Sequence, residues 1–201
     1  MANYRFLPSP TFGVSEHPFT TWRGAFTNEE LDKIIEIGNT LEQRKAVVGG
    51  NSVEDDISKI RESQVSWIEM NEETVWIYDR LAYVARSLNG QFYKFDLYGF
   101  NEDLQFTTYD SEKSGHYTWH RDSGVSRNFS PRKFSLVLQL TDPNDYEGGD
   151  LEVFTASEPN KVDKERGMIT AFPSYTLHRV TPITKGIRKS LVVWVTGPAF
   201  V

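Results

Sequence analysis

The apolar patterns along the chain predict an α+β fold, a β-sandwich or jelly roll with N-terminal helices packed on one outer face. Three observations carry this reading. Two amphipathic helical stripes fall in the first half of the chain. Seven short β-type runs separated by turn residues fill the second. The 201 residues are 38% hydrophobic, with thirteen Phe, nine Tyr and five Trp, enough for one well-filled core. With no internal repeat, low-complexity segment or composition break, residues 1–201 read as a single domain, helical over about 1–92 and jelly-roll over about 93–201.

Residues 1–25 hold three prolines and read as an irregular arm. "AFTNEELDKIIEIGNTLEQ" then reads as a helix, with Thr27 as N-cap and Glu30 as its reciprocal capping-box acid. Leu31, Ile34, Ile35, Gly38 and Leu41 form its apolar stripe. Residues 45–60 carry Gly-Gly, Asn-Ser and an acidic cluster, the composition of a loop. "ESQVSWI" reads as a strand. Asn71 is placed to cap a second helix through about Leu88, with Val75, Tyr78, Leu81, Ala82, Ala85 and Leu88 on one face and Asn89-Gly90 as its stop. Beyond it, "LQFTTYD", "HYTWHRD", "KFSLVLQL", "DLEVF", "GMITAF", "HRVTPI" and "GIRKSLVVWVTG" read as strands. The turns between them are "DSEKSG", "DPNDYEGG", "SEPNKVDKERG" and "TKG".

The composition excludes several classes. No apolar run is long enough to span a membrane, and "MANYRFLPSP" lacks the basic and apolar regions of a secretory signal. With no cysteine there are no disulfides or thiolate metal sites, which fits a cytoplasmic protein. A net charge of −6 disfavours nucleic acid and anionic membranes as partners. A local basic cluster remains, at His116, His120, Arg121, Arg127, Arg132 and Lys133.

The chemistry concentrates in three stretches. His120 and Asp122 lie two apart in "HYTWHRD", so on a strand they share a face about 6.6 Å apart, with Trp119 and Arg121 on the other. His178 lies in "PSYTLHRVTP", on a strand distant in sequence that a jelly roll makes a spatial neighbour. Two imidazoles and a carboxylate on one triangular face of an octahedron form the facial triad of non-haem Fe(II) oxygenases. A zinc hydrolase uses similar ligands. Arg188, in "KGIRKSLVVW", separates the two readings. On that strand it shares a face with Ser190, Val192 and Trp194, and a buried guanidinium there suits a dicarboxylate co-substrate by forking onto its carboxylate. His17 and His116 lack comparable context, although His116 shares the face of His120.

Three blocks, "LQFTTYDSEKSGHYTWHRD", "RKFSLVLQLTDPNDYEGGDLEVF" and "GMITAFPSYTLHRVTPITKGIRKSLVVW", span most of residues 104–194. Together they resemble the 2-oxoglutarate- and Fe(II)-dependent dioxygenases, in the prolyl 4-hydroxylase-like and PKHD-type branch. The resemblance implies a double-stranded β-helix of cupin-like form, with Fe(II), 2-oxoglutarate and O2 as cofactor and co-substrates and ascorbate as a candidate reductant. It assigns His120, Asp122 and His178 to the iron, and Arg188, Tyr109, Ser190 and Gln139 to 2-oxoglutarate. Arg132 and Trp194 fall on the substrate side.

Gln139 is a departure, standing where several prolyl hydroxylases place a tyrosine. Gly148-Gly149 reads as a tight turn rather than a ligand contact. PKHD-type proteins usually continue with a C-terminal helical segment, whereas this chain ends at "GPAFV", so any contribution of that segment is expected to be missing.

The expected reaction is hydroxylation of a C–H bond, in a prolyl or lysyl residue of a peptide or protein, with release of succinate and CO2. The loop at 45–60 is placed to act as a lid. The alternatives are hydroxylation of a free amino acid or small metabolite, a non-catalytic metal-binding jelly-roll sensor, and a structural or interaction protein of the same fold. The oligomeric state is not encoded in any pattern of the chain.

Overall fold

A computed structural model describes residues 17–46, 59–123, 131–155 and 157–199. The chain begins with β1 (Thr20–Trp22), α1 (Asn28–Thr40), β2 (Arg44–Lys45), β3 (Arg61–Glu62), β4 (Gln64–Ile68) and α2 (Val75–Leu88). It continues with β5 (Gly99–Phe100), β6 (Leu104–Asp110), β7 (His116–His120), β8 (Arg132–Gln139) and β9 (Tyr146–Gly148). The last elements are β10 (Leu151–Phe154), β11 (Pro159–Lys161), β12 (Ile169–Pro173), β13 (His178–Val180) and β14 (Ile183–Thr196).

These strands make two sheets. The larger runs β1-β12-β8-β14-β6-β4-β2, with β5 and β9 also paired to β14, and the smaller runs β11-β10-β13-β7-β3. The helices are few and the fold is sheet-rich.

The larger sheet is buried on both faces, and side-chain alternation divides its residues between two cores. On β8, Leu136 and Leu138 join a core with Leu31 and Ile34 of α1 and Ile77, Leu81 and Val84 of α2. Val137, between them in sequence, joins a second core with Leu151 and Val153 of β10 and Val180 of β13. One core therefore lies between helices and sheet, the other between the two sheets.

Helix α1 starts as its sequence directs. The Thr27 hydroxyl accepts from the Glu30 N–H at 3.2 Å, and the Glu30 carboxylate accepts from the Thr27 N–H at 2.9 Å. Gly38 sits where a Cβ would fall 2.5 Å from the Phe106 ring, so only glycine lets the helix approach β6 this closely. Leu31 and Ile34 are buried as expected, while Ile35 and Leu41 are half-buried.

Several expectations are corrected. The arm at 1–25 is not wholly irregular, because Thr20–Trp22 pairs with β12 along its free edge. The part expected to be helical also contains β2, β3 and β4. Of the 45–60 loop, residues 47–58 lie outside the described residues. Its flanks are strands on different sheets, β2 pairing with β4 and β3 with β7.

The N-cap of α2 is Thr74, not Asn71. Asn71 instead closes a turn, its side chain accepting from the N–H groups of Glu73 and Thr74 at 2.9 and 3.2 Å. Ile77 and Val84 belong to the buried face of α2, whereas Val75 is exposed and Ala82 half-buried. The α-helix ends at Leu88 with Asn89 as its C-cap, as expected, but Gly90 does not supply a left-handed stop. The chain winds on through a π-helical turn, Asn89–Tyr93, and ends at Lys94 in the left-handed region, φ 58°.

"HYTWHRD" is a strand only to His120. "SEPNKVDKERG" is not only a turn, since it contains β11. "HRVTPI" divides at Thr181-Pro182, and "TKG" does not break β14. The first part of β14 pairs with β9 and the rest with β6 and β8, so hydrogen bonding continues through Gly186, φ 72°.

Candidate metal centre and anion pocket

A cavity of about 450 Å³ opens between the two sheets, a volume typical of small-molecule sites. His120 at the end of β7 and His178 at the start of β13 lie directly opposite one another in antiparallel register, with ring centroids 4.1 Å apart. Asp122 lies beyond the end of β7, so its approach to His120 comes from the chain turning after the strand rather than from strand alternation. Its carboxylate is 3.7 Å from His120 Nε2 and 3.6 Å from His178 Nε2. One donor atom from each of the three residues lies within 4.8 Å of the others.

The donors are prepared for a cation. His120 Nδ1 is 2.7 Å from the Thr118 carbonyl, and His178 Nδ1 is 2.9 Å from the Thr176 carbonyl. A carbonyl only accepts, so each Nδ1 carries the proton and each Nε2 offers its lone pair toward Asp122. Burial, reinforced by the facing His178, pushes the His120 imidazole down to about 3, which keeps it neutral.

Burial alone would push the Asp122 carboxyl up. The positive charge the two imidazoles carry when protonated, with the nearby Trp194 indole and Ser135 hydroxyl, outweighs that and holds it below the usual carboxylate range. Asp122 Oδ2 and Trp194 Nε1 nonetheless remain buried without a full hydrogen bond. A buried carboxylate with one unsatisfied oxygen, its two oxygens each facing one imidazole lone pair, fits a divalent cation. The donor set, two imidazoles and one carboxylate, matches Fe(II) with open positions. The ring of Tyr117 stacks on His120, centroids 3.3 Å apart and planes at 13°, and fixes its orientation.

Arg188, Tyr109, Gln139 and Ser190 come from three neighbouring strands, β14, β6 and β8. Arg188 pairs in register with Tyr109, and Ser190 with Gln139. Arg188 is only 3% exposed. Its Nε donates to Gln139 Oε1 at 3.1 Å, and its guanidinium carbon lies 5.6 Å from the Tyr109 ring centroid. Among the described residues no carboxylate pairs with it. Gln139 in turn donates through Nε2 to the Tyr146 hydroxyl at 3.1 Å and to the Thr141 carbonyl at 3.0 Å, so it orients the arginine.

Gly148 and Gly149, φ 75° and 59°, make the tight turn expected. Gly149 also does more, since a Cβ there would strike Ile183 and come within 3.1 Å of Arg188 Cδ.

Arg132 and Trp194 line the same cavity. The Arg132 guanidinium lies 3.6 Å from the Trp194 ring centroid, and its charge is taken by Glu102, whose oxygens accept at 2.7 and 2.5 Å.

The structure adds residues that sequence reasoning missed. Arg61, Trp67, Gln105 and Tyr117 line the cavity, and Tyr146 joins the Arg188 network. Arg121, expected to face away, also lines the cavity. The alternation in "HYTWH" places Tyr117 on the face opposite His120, so it gave no signal for the stacking, which comes where the β7–β13 register shifts; nothing local marked Arg61. His116 lies outside the cavity, with Nδ1 2.8 Å from the Ser114 carbonyl. His17 packs edge-on against Phe92.

Comparison with known proteins agrees with this geometry. Residues 104–196 match the family model of the 2OG-Fe(II) oxygenase superfamily, a family whose members use Fe(II), 2-oxoglutarate and O2. A PKHD-type hydroxylase of Synechococcus sp. (strain CC9311) is 38% identical over 91 residues, which are 45% of this chain and 41% of that protein. The chain thus spans about two fifths of the length of such curated relatives. The crystal structure of a Pseudomonas putida prolyl-4-hydroxylase superposes with TM-score 0.70 at 21% identity, covering 91% of this chain and 94% of that one. A prolyl hydroxylase of Trichoplax adhaerens, in complex with a hypoxia inducible factor peptide fragment, superposes with TM-score 0.73 at 16% identity, covering 90% and 84%. The fold is therefore shared with these hydroxylases, and the resemblance carried by the three sequence blocks is shown for residues 104–196.

Proposed function

We propose that this chain is an Fe(II)- and 2-oxoglutarate-dependent dioxygenase that hydroxylates a C–H bond, in a prolyl (or lysyl) residue of a peptide or protein, releasing succinate and CO2. The observation that carries the proposal is a buried guanidinium with no carboxylate partner among the described residues, in the same cavity as the His120, Asp122 and His178 donors. A buried unpaired cation is costly, and a dicarboxylate anchored by a neighbouring metal relieves it. The two sheets are read as the double-stranded β-helix of that family, with α1 and α2 on one outer face, and the whole chain as one catalytic domain.

In this reading His120, Asp122 and His178 would hold Fe(II). When bound, the iron supplies O2 activation coupled to the oxidative decarboxylation of 2-oxoglutarate. Arg188 takes the distal carboxylate of the co-substrate, Gln139 holds its Nε, and Ser190 and Tyr109 add hydroxyl contacts from flanking strands. Arg132 and Trp194 form a stacked wall on the substrate side. Val137, Leu151 and Val180 close the cavity with apolar surface and limit water. The prolyl assignment draws on the prolyl hydroxylases that share the fold.

The test is incubation with Fe(II), ascorbate, 2-oxoglutarate and prolyl or lysyl peptides, with mass spectrometry. A one-oxygen gain coupled to equimolar succinate is expected. Absence of both across prolyl, lysyl and free amino-acid substrates would remove the catalytic reading.

A further inference from the structure

The cavity holds more positive charge than metal and co-substrate require. Four arginines line it, Arg61, Arg121, Arg132 and Arg188, against the single acid Asp122. Arg132 is neutralised by Glu102, and Arg188 is assigned to 2-oxoglutarate. Arg61 remains. It is 6% exposed, its Nε donates to the Ser63 hydroxyl at 2.8 Å, and its guanidinium carbon lies 4.6 Å from the Tyr117 ring centroid.

Among the described residues no carboxylate pairs with Arg61. Its chain neighbour Glu62 turns instead to Lys45 at 3.6 Å. A hydroxyl and an aromatic face stabilise a guanidinium without neutralising it.

We infer that Arg61 is a carboxylate-recognition site for the primary substrate, with the exposed Arg121 adding positive charge at the cavity mouth. The inference rests on the oxygenase reading, because it takes Arg188 to be occupied by the co-substrate. Arg61 stacks on Tyr117 at 4.6 Å, and Tyr117 stacks on His120 at 3.3 Å. A carboxylate forked onto Arg61 therefore lies within about two extended residues of a metal donor. That reach fits an acidic side chain next to the oxidised residue, or the α-carboxylate of a free amino acid. The chemistry shared by both sources is a carboxylate held bidentately.

The test is calorimetry on the intact chain with 2-oxoglutarate at fixed saturating concentration. Two sets of proline-containing hexapeptides are compared, identical except for Glu or Gln beside the proline, together with L-proline and L-prolinamide. At least tenfold tighter binding of the carboxylate member is expected in one pair or both. A preference in the peptides assigns the side-chain carboxylate, and one in the free pair assigns the α-carboxylate.

R61Q should abolish the preference. R61K, which keeps the charge but loses the fork, should weaken it. No preference or no binding in either pair, or a preference unchanged in both R61Q and R61K, would overturn the inference. The calorimetry needs no turnover, so a missing succinate signal would count against the oxygenase reading alone.

Discussion

At Asp122 the buried Oδ2 has no hydrogen-bond partner and lies 3.6 Å from His178 Nε2, while Oδ1 lies 3.7 Å from His120 Nε2. A cation is the natural complement of that arrangement, and two substitutions measure it. Asp122→Asn is expected to weaken Fe(II) binding roughly 100-fold or more under anaerobic titration, with the far-ultraviolet spectrum unchanged. Binding equal to wild type would show that the carboxylate is not a ligand. Arg188→Ala should raise the dissociation constant for 2-oxoglutarate by the equivalent of roughly 2–5 kcal/mol, the usual penalty for truncating one side of a buried charge pair. Affinity within twofold of wild type would place the co-substrate elsewhere.

His120, Asp122, His178 and Arg188 are legible from residue type and spacing, and Tyr109, Gln139 and Ser190 only through the resemblance of the three blocks; the structure brings all seven together. Arg61 and Tyr146 were not legible, because their places depend on β3 and β9 pairing with strands far along the chain.

Among the elements, the two helices and the longer strands carry a pattern of their own and are legible, although Asn71 is not the cap of α2; the shortest strands, defined only by distant pairing, are not. The capping box of α1 is local, and Thr27→Ala is expected to lower stability by about 1 kcal/mol in urea unfolding. No change would mean that the reciprocal hydrogen bonds contribute nothing net. Gly38 was read as one position in an apolar stripe, although its role is the close approach to Phe106. Edge strands β1, β2, β3 and β5 run only two or three residues and carry no pattern of their own; their partners define them. The same reasoning covers β14, where "TKG" has turn chemistry yet the strand continues because β9 takes over the pairing.

Across the molecule, Glu30 ties the two helices together. Its carboxylate caps α1 and accepts from Arg80 of α2 at 3.0 and 3.1 Å. The Arg80 hydrogen bonds, then the Thr27 N–H, hold its carboxyl below the ordinary value of 4.5. A depressed folded-state value means stability that is full above 4.5 and lost as pH falls through the folded value. The pair is partly exposed, so the expected contribution is about 1 kcal/mol or less. Melting temperature followed downward from pH 5 should fall less steeply for Glu30→Gln than for wild type, and parallel curves would exclude the linkage.

Every part of the proposed function meets in one cavity between two sheets, where β7, the turn after it and β13 bring the metal donors and β6, β8 and β14 bring the anion-binding groups. The most direct measurement is calorimetric titration of 2-oxoglutarate into the anaerobic Fe(II)-loaded chain, in parallel with His178→Ala and Arg188→Ala. One molecule per chain should bind wild type, with affinity sharply reduced in both variants. Absence of binding to wild type, or equal affinity in all three, would contradict a site built from these residues.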